Sequence, residues 1–213
     1  LLDTPGHQDF SEDTYRTLVA VDSVVMVLDS AKGVEARTES LFQVCRSRRI
    51  PVVTFINKMD RLGREPLDLL DEIERGLGMT AVRCNGPIGA GSAFQGVYDL
   101  QRQQVLRFDR LDHGRRRAPV FAAALHHRAL MERLGPLAYG RLCQEVELLT
   151  GAGAAFNRAK FLAGELTPVF FGSALINFGV EPFLDALLEL APTPQARLSD
   201  RGLVDPTDEA FSG

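Results

Sequence analysis

The stretch Pro51-Val52-Val53-Thr54-Phe55-Ile56-Asn57-Lys58-Met59-Asp60 joins an apolar run of strand length to the tetrad Asn-Lys-Met-Asp. The apolar part predicts a strand, and the tetrad predicts the loop at which that strand ends. In an open α/β sheet, ligands bind at the carboxyl ends of the strands. The stretch therefore predicts a strand with a ligand-binding loop directly after it.

The segments on either side of this stretch alternate between strand and helix patterns. An apolar run at 22–29, bounded by polar residues, is typical of a strand covered on both faces. Apolar residues at helical spacing predict a helix that contains Leu18, a second at 35–49 and a third from Pro66 to Gly78. This order predicts a doubly wound α/β domain with a mostly parallel sheet.

The regular order lapses in the middle of the chain and then returns. Strand patterns occur at 82–88, 96–100 and 103–108, and helical patterns at 119–134, 137–149 and 154–163. We interpret them as an inserted α+β subdomain, after which a strand at 168–171 and a helix at 180–190 complete the first domain. The predicted boundaries are 1–78 for the first part of the domain, 79–166 for the insertion, 167–194 for its end, and 195–213 for a linker.

The first seven residues, Leu1-Leu2-Asp3-Thr4-Pro5-Gly6-His7, have the pattern of a buried strand end followed by an acidic turn. A carboxylate at Asp3 could hold a magnesium ion, directly or through a water. The backbone N–H of Gly6 could approach a γ-phosphate closely because glycine has no side chain. His7 could then place a water in line with that phosphate.

The tetrad Asn57-Lys58-Met59-Asp60 has the chemistry of guanine recognition. The Asp60 carboxylate can accept hydrogen bonds from guanine N1–H and N2–H, which adenine cannot supply, and losing such a paired contact costs a few kcal/mol. Asn57 can donate to an acceptor on the base edge, and the stem of Lys58 can lie over the ring. After the last predicted strand, the N–H of Ala174 in Ser173-Ala174-Leu175 can bind guanine O6.

The bulk properties exclude several classes of protein. The 213 residues are 45% hydrophobic and 24% charged, and the net charge of -4 argues against binding nucleic acid through a dominating basic field. Three separated cysteines without metal-ligand spacing favour a reduced cytoplasmic setting. No secretory leader or apolar run of membrane-spanning length is evident, so we expect no membrane association.

The glycine-rich phosphate loop that would complete a nucleotide site is missing from the sequence. Such a loop needs Gly-x-x-x-x-Gly-Lys-[Ser/Thr], whereas none of the lysines, at positions 32, 58 and 160, follows a glycine. The chain begins with leucine inside a predicted strand. We therefore expect an N-terminally truncated piece of a longer protein, catalytically inactive on its own.

The motifs resemble those of the translational GTPases, the group that includes elongation factors G and Tu. Within that group the resemblance is closest to the bacterial peptide chain release factor 3 family. The stretches that carry the closer match are 9–18, 87–89, 94–98 and 167–175.

The resemblance implies part of a GTP-binding domain with GTP or GDP and Mg²⁺ as cofactors. It implies that the full-length protein is a monomeric, cytoplasmic, ribosome-dependent GTPase that contacts rRNA near the GTPase centre and removes class I release factors. His7 would be catalytic and Asp3 would hold magnesium through water. The implied nucleotide-binding residues are Asp3, Thr4, Pro5, Gly6, His7, Asn57, Lys58, Met59, Asp60, Ser173, Ala174 and Leu175.

Two alternatives remain open at this stage. One is an elongation factor G-like or ribosome-protection GTPase, which would share the same motifs. The other applies to this piece alone, which could act as a non-catalytic binding module because it lacks the phosphate loop.

Overall fold

The structure is a computed structural model that describes residues 1–4, 12–108, 120–152, 155–199 and 202–207. Along these residues the chain forms ten strands and seven α-helices. The strands are Val24–Asp29 (β1), Val52–Asn57 (β2), Thr80–Arg83 (β3), Asn85–Ile88 (β4), Gly96–Asp99 (β5), Gln104–Phe108 (β6), Val120–Ala124 (β7), Leu166–Phe171 (β8), Arg197–Ser199 (β9) and Gly202–Val204 (β10). The helices are Glu12–Ala20 (α1), Ala36–Ser47 (α2), Pro66–Leu77 (α3), Arg128–Leu134 (α4), Pro136–Ala152 (α5), Arg158–Leu162 (α6) and Val180–Leu190 (α7).

A four-stranded parallel sheet in the order β1-β2-β8-β3 forms the centre of the first domain. One face packs on α2 and α3 through a core that includes Phe42, Leu69 and Ile73. The other face packs on α6 and α7 through Phe161 and Phe183. Helices on both faces of a parallel sheet confirm the predicted doubly wound α/β architecture.

The predicted helix and strand limits hold where local signals are strong. Pro66 begins α3, and Gly78 ends it in a left-handed conformation with φ 64°. Strand β2 ends at Asn57, the first residue of the tetrad, so the other three tetrad residues form the predicted exit loop.

Strand β1 differs from the expectation that it is covered on both faces. It forms one edge of the described sheet and pairs with β2 alone. Leu28 is 2% exposed, whereas Val27 on the opposite face is 60% exposed. The apolar run at 22–29 predicted a strand correctly, but a continuous apolar run does not distinguish an edge strand from a central one.

The residues at the start of the predicted insertion are divided between two sheets. Thr80–Arg83 pairs in parallel with β8, so this strand belongs to the central sheet and not to the insertion. The four-stranded antiparallel sheet of the insertion, in the order β4-β5-β6-β7, starts at Asn85. Only Cys84 separates the two strands, so the sequence shows one apolar run where the structure has two strands.

The helix predicted at 119–134 is wrong in its first part. Val120–Ala124 forms β7, which pairs antiparallel with β6, and helix α4 starts at Arg128. The alanines of β7 favour a helix locally, but pairing with a neighbouring strand overrides that preference. Helices α4 and α5 then pack on this sheet through Leu130 and Leu142.

Helix α7 buries only part of its apolar surface. Phe183 and Leu190 are buried and Leu187 is half-buried, whereas Leu184 and Leu188 are 49% and 82% exposed. The helix carries apolar residues on most of its circumference, so their spacing could not identify the buried face.

The predicted linker at 195–213 contains secondary structure in its described part. Strands β9 and β10 pair antiparallel, with Leu198 opposite Leu203. Strands of three residues are too short to give a readable alternation, so the sequence pattern missed them.

Candidate nucleotide-binding site

Two loops that the sequence analysis assigned to base recognition meet at the carboxyl ends of the neighbouring strands β2 and β8. The register pairs Ile56 with Phe171. The N–H of Gly172 donates to the carbonyl of Ile56 over 3.0 Å, and the N–H of Met59 donates to the carbonyl of Gly172 over 3.1 Å. These backbone bonds bring the Asn57–Asp60 segment and the Ser173–Leu175 segment side by side, at the edge where α/β sheets bind ligands.

Asp60 and Ser173 join the two loops through their side chains. The Oγ of Ser173 donates to Oδ1 of Asp60 over 2.5 Å, and Ser173 itself is fully buried. The backbone of Ser173 is held by two bonds with Phe178, of 2.9 and 3.0 Å. An ionised carboxylate has lone pairs for several donors, so Asp60 can accept further bonds while Ser173 fixes its orientation.

Asn57 links the same loops through its acceptor oxygen. Its Oδ1 accepts bonds from the N–H of Lys58 over 2.8 Å and from the N–H of Ala174 over 2.9 Å. The N–H that the sequence analysis assigned to guanine O6 therefore donates to Asn57 in this structure. The Nδ2 group of Asn57 is the part of that side chain suited to donate to a base.

Lys58 adopts an unusual backbone conformation that two neighbouring residues support. Its φ is 68°, in the left-handed region that residues with side chains rarely adopt. The Oγ of Ser30 donates to its carbonyl over 3.1 Å, and its Nζ lies 2.6 Å from Oδ2 of Asp29. The ion pair directs the lysine stem along the end of β1.

Asp29 and Ser30 are residues that the sequence analysis did not assign to the site. Asp29 is the last residue of β1, and the register places it opposite Asn57. A polar residue at the end of a strand next to the tetrad was therefore the available signal. Burial alone raises the pKa of Asp29, but bonds from Lys58 and from the N–H of Ala31 outweigh it and leave the pKa below 3.8.

The side chains of the remaining loop residues point to different environments. Met59 is 2% exposed and belongs to the core between the sheet and α3. Its carbonyl accepts a 2.9 Å bond from the N–H of Gly91, which belongs to the insertion. Leu175 is 58% exposed. Met59 thus anchors the tetrad, whereas Leu175 lies on the surface.

Gly172 occupies a place where no larger residue fits. A Cβ built on it would lie 2.7 Å from the carbonyl oxygen of Phe178 and 2.8 Å from the ring of Phe55. Such distances are well inside ordinary van der Waals contact. The close approach of the two loops therefore depends on glycine at this position.

The opening residues do not form the buried strand end that the sequence predicts. Residues 1–4 lie outside any helix or strand, and Leu1, Leu2 and Asp3 are exposed, while Thr4 is half-buried. Two apolar residues become a strand only with a partner strand, and none pairs with them in the described part of the chain. The predicted roles of Pro5, Gly6 and His7 lie outside the described residues.

The residues that the structure describes contain neither a cluster of metal ligands nor a membrane-spanning helix. No group of three or more histidine, cysteine or acidic residues that could hold a metal occurs among them. Asp3 contributes a single carboxylate. None of the described helices is long and apolar enough to cross a bilayer.

Comparison with known proteins agrees with this geometry. A profile of the elongation factor Tu GTP-binding domain matches residues 1–193. The chain belongs to this family of GTP-binding domains, and membership implies a guanine nucleotide as ligand.

Several curated relatives that match the chain share one name, peptide chain release factor 3. The chain is 51% identical over 213 residues to peptide chain release factor 3 of Gloeobacter violaceus and 53% identical over 212 residues to that of Symbiobacterium thermophilum. It is 52% identical over 216 residues to that of Nitrosomonas europaea. All of this chain is covered in each case, and it spans about 40% of the length of each relative.

Proposed function

We propose that this chain is part of the GTP-binding domain of a ribosome-dependent translational GTPase. The whole protein hydrolyses GTP and promotes the release of class I release factors from the ribosome at translation termination. The observation that carries the proposal is the pairing of Asp60 with Ser173 and of Asn57 with Ala174 at the ends of adjacent parallel strands. Similarity to relatives named peptide chain release factor 3 supports termination as the process.

Guanine selection is the role of the described loops in this proposal. The Asp60 carboxylate accepts from guanine N1–H and N2–H, and Ser173 keeps it oriented for that contact. The Nδ2 group of Asn57 donates to the base edge, and the Lys58 stem covers the ring. Adenine would leave this half-buried carboxylate without its donors, and a site built to hydrogen-bond a substrate group strongly rejects an analogue that lacks that group.

The phosphate side of the site belongs to the opening residues. In this proposal His7 would orient the attacking water, the N–H of Gly6 would contact the γ-phosphate, and Asp3 would hold magnesium through a water. A single exposed carboxylate suits Mg²⁺, which keeps several waters and takes one or two carboxylates besides the substrate phosphates. Magnesium, when bound, neutralises charge that develops on the phosphates.

The partners follow from the same proposal. They are the ribosome, including the rRNA near its GTPase centre, and class I peptide chain release factors, with the protein acting as a monomer in the cytoplasm. An elongation factor G-like protein would have the same guanine-recognition loops. The relatives named above favour the release-factor assignment over it.

Replacing His7 tests the proposal in the full-length protein. His7→Ala should leave guanine-nucleotide affinity unchanged and reduce ribosome-stimulated GTP hydrolysis by about a hundredfold or more, since a side chain positioned at the attacking water contributes on that scale. His126→Ala changes an exposed histidine of the insertion and serves as the matched control. Unchanged hydrolysis by His7→Ala in the presence of ribosomes would exclude His7 as the catalytic residue.

A further inference from the structure

Strand β8 continues beyond the end of its neighbour β3. The register between them ends with Arg83 opposite Val169, and the N–H of Cys84 donates to the carbonyl of Val169 over 2.9 Å. Two residues later the side chain of Asn85 takes over the role of a neighbouring strand. The N–H of Phe171 donates to Asn85 Oδ1 over 2.7 Å, and Asn85 Nδ2 donates to the carbonyl of Phe171 over 3.1 Å.

Asn85 is also the first residue of the antiparallel insertion. It starts β4, pairs with Asp99 of β5 and is 3% exposed. Its amide thus satisfies both backbone groups of Phe171 in a buried place, where an unpaired group would be costly. One side chain joins the insertion to the strand that leads into the Ser173–Leu175 loop.

The opposite side of β8 contacts the Asn57–Asp60 tetrad at the very next residue. Gly172 bonds to the carbonyl of Ile56 and to the N–H of Met59. Because successive peptide groups of a strand point to opposite neighbours, Asn85 and the tetrad hold consecutive residues from opposite sides. The position of Ser173 and Ala174 therefore depends on both contacts.

We propose that Asn85 is a positioning residue for guanine binding. Its amide fixes the end of β8 and so sets Ser173 against Asp60 and Ala174 against Asn57, without touching the nucleotide itself. This inference rests on the proposed function, because it assigns the base to those loops. It also makes the insertion a determinant of nucleotide affinity.

Further contacts join the insertion to the same loops. The N–H of Gly91 bonds to the carbonyl of Met59 in the tetrad. The ring of Phe178, whose backbone pairs with Ser173, lies between Phe94 and Phe108 of the insertion at centroid distances of 5.8 and 5.0 Å. These contacts join the insertion to the loops, whereas Asn85 bonds directly to the backbone of β8.

The nucleotide test compares Asn85→Ala with Thr167→Val in the full-length protein. Thr167 is a matched control because it lies at the start of the same strand, is fully buried, and donates to the carbonyl of Val52 over 2.8 Å. We expect both variants to lower the melting temperature. Only Asn85→Ala should speed the dissociation of a fluorescent GDP analogue, by about tenfold, since it leaves the N–H and the carbonyl of Phe171, just before the loop, unpaired. Equal dissociation rates in the two variants would overturn the proposal.

Amide hydrogen exchange provides a readout that needs no nucleotide. The Phe171 amide should be protected in the wild type, and exchange across residues 171–178 should rise by about tenfold or more in Asn85→Ala but not in Thr167→Val. Rapid exchange of the Phe171 amide in the wild type would overturn the proposal even if Asn85→Ala failed to fold. A wild type that binds no guanine nucleotide would contradict the proposed function, and the exchange result would still decide the role of Asn85 in the loop.

Discussion

Ser173 and Asp60 lie on different loops, and the Oγ of the serine donates to the carboxylate over 2.5 Å. The serine is fully buried and comes directly after the glycine at which the two loops touch. The carboxylate proposed to recognise guanine is thus oriented by the loop that follows the neighbouring strand and not by its own loop alone. A preoriented carboxylate loses less conformational freedom when a base binds.

Removing the serine hydroxyl should weaken guanine-nucleotide binding. A hydrogen bond to a charged group contributes about 1.5–3 kcal/mol, so Ser173→Ala should raise the Kd for GDP by about tenfold or more. Calorimetric titration of the full-length protein measures this change. Ser40→Ala removes a hydroxyl that bonds within α2 on the surface and should leave the Kd unchanged. Equal affinities for the wild type and Ser173→Ala would mean that the bond does not orient Asp60.

The Asp29–Lys58 ion pair should stabilise the fold in a pH-dependent way. The folded pKa of Asp29 is lowered, so its contribution is present at neutral pH and is lost as the pH falls below about 3.8. Asp29→Asn should therefore lower the free energy of unfolding by about 0.5–1 kcal/mol at neutral pH, and the difference should vanish in acid. Urea titrations across pH measure it.

A suitable control for that experiment lies on helix α3. Asp71 and Arg75 form an exposed pair one turn apart, at 3.4 Å. Asp71→Asn should change stability little at any pH, because exposed pairs contribute little. A difference between wild type and Asp29→Asn that persisted unchanged into acid would contradict the assigned ion pair.

Two glycine substitutions should have opposite effects on stability. Gly172→Ala forces a Cβ to within 2.7 Å of the carbonyl oxygen of Phe178 and should destabilise the fold by about 1–3 kcal/mol. Gly140 lies on an exposed face of α5, and a Cβ built on it would meet no other part of the protein within 4 Å. Gly140→Ala should therefore stabilise the fold by about 0.5–1 kcal/mol. Chemical denaturation gives both values. A neutral Gly172→Ala would show that the loops have more space than the structure indicates.

The three cysteines should differ in reactivity. Burial raises the pKa of the Cys84 thiol to about 12 and that of Cys45 to about 11, whereas Cys143 is only half-buried. Thiolate is the reactive form, so near neutral pH a disulfide reagent should label Cys143 in the folded protein and the other two after unfolding. Cys143→Ser should remove the labelling that occurs in the folded protein. Fast labelling of Cys84 would contradict its buried position.

The sequence predicts the parts of the fold that depend on neighbouring residues in the chain. Pro66 and Gly78 delimit α3 because each has a local conformational preference that suits a helix end. The apolar run 51–56 similarly leads to β2 and the tetrad to its exit loop. The proximity of the tetrad and Ser173 follows from a general property of parallel sheets.

The sequence could not predict contacts that depend on the pairing of distant segments. The bond between Asn85 and Phe171 exists because β3 ends before β8 does, and that difference in length is a property of the sheet. The ion pair between Asp29 and Lys58 likewise depends on β1 lying next to β2. Residues of β7 were assigned to a helix because the sequence does not reveal that β6 offers them an open edge.

The base preference of Asp60→Asn is the most direct test of the guanine site. An amide at this position cannot accept from both guanine donors but can donate to the extra carbonyl of xanthine. We predict that the full-length variant binds GDP at least about a hundredfold more weakly, because two paired contacts to the base are lost, and gains affinity for XDP relative to GDP. An unchanged preference for GDP over XDP would contradict the assignment of Asp60 as the residue that recognises guanine.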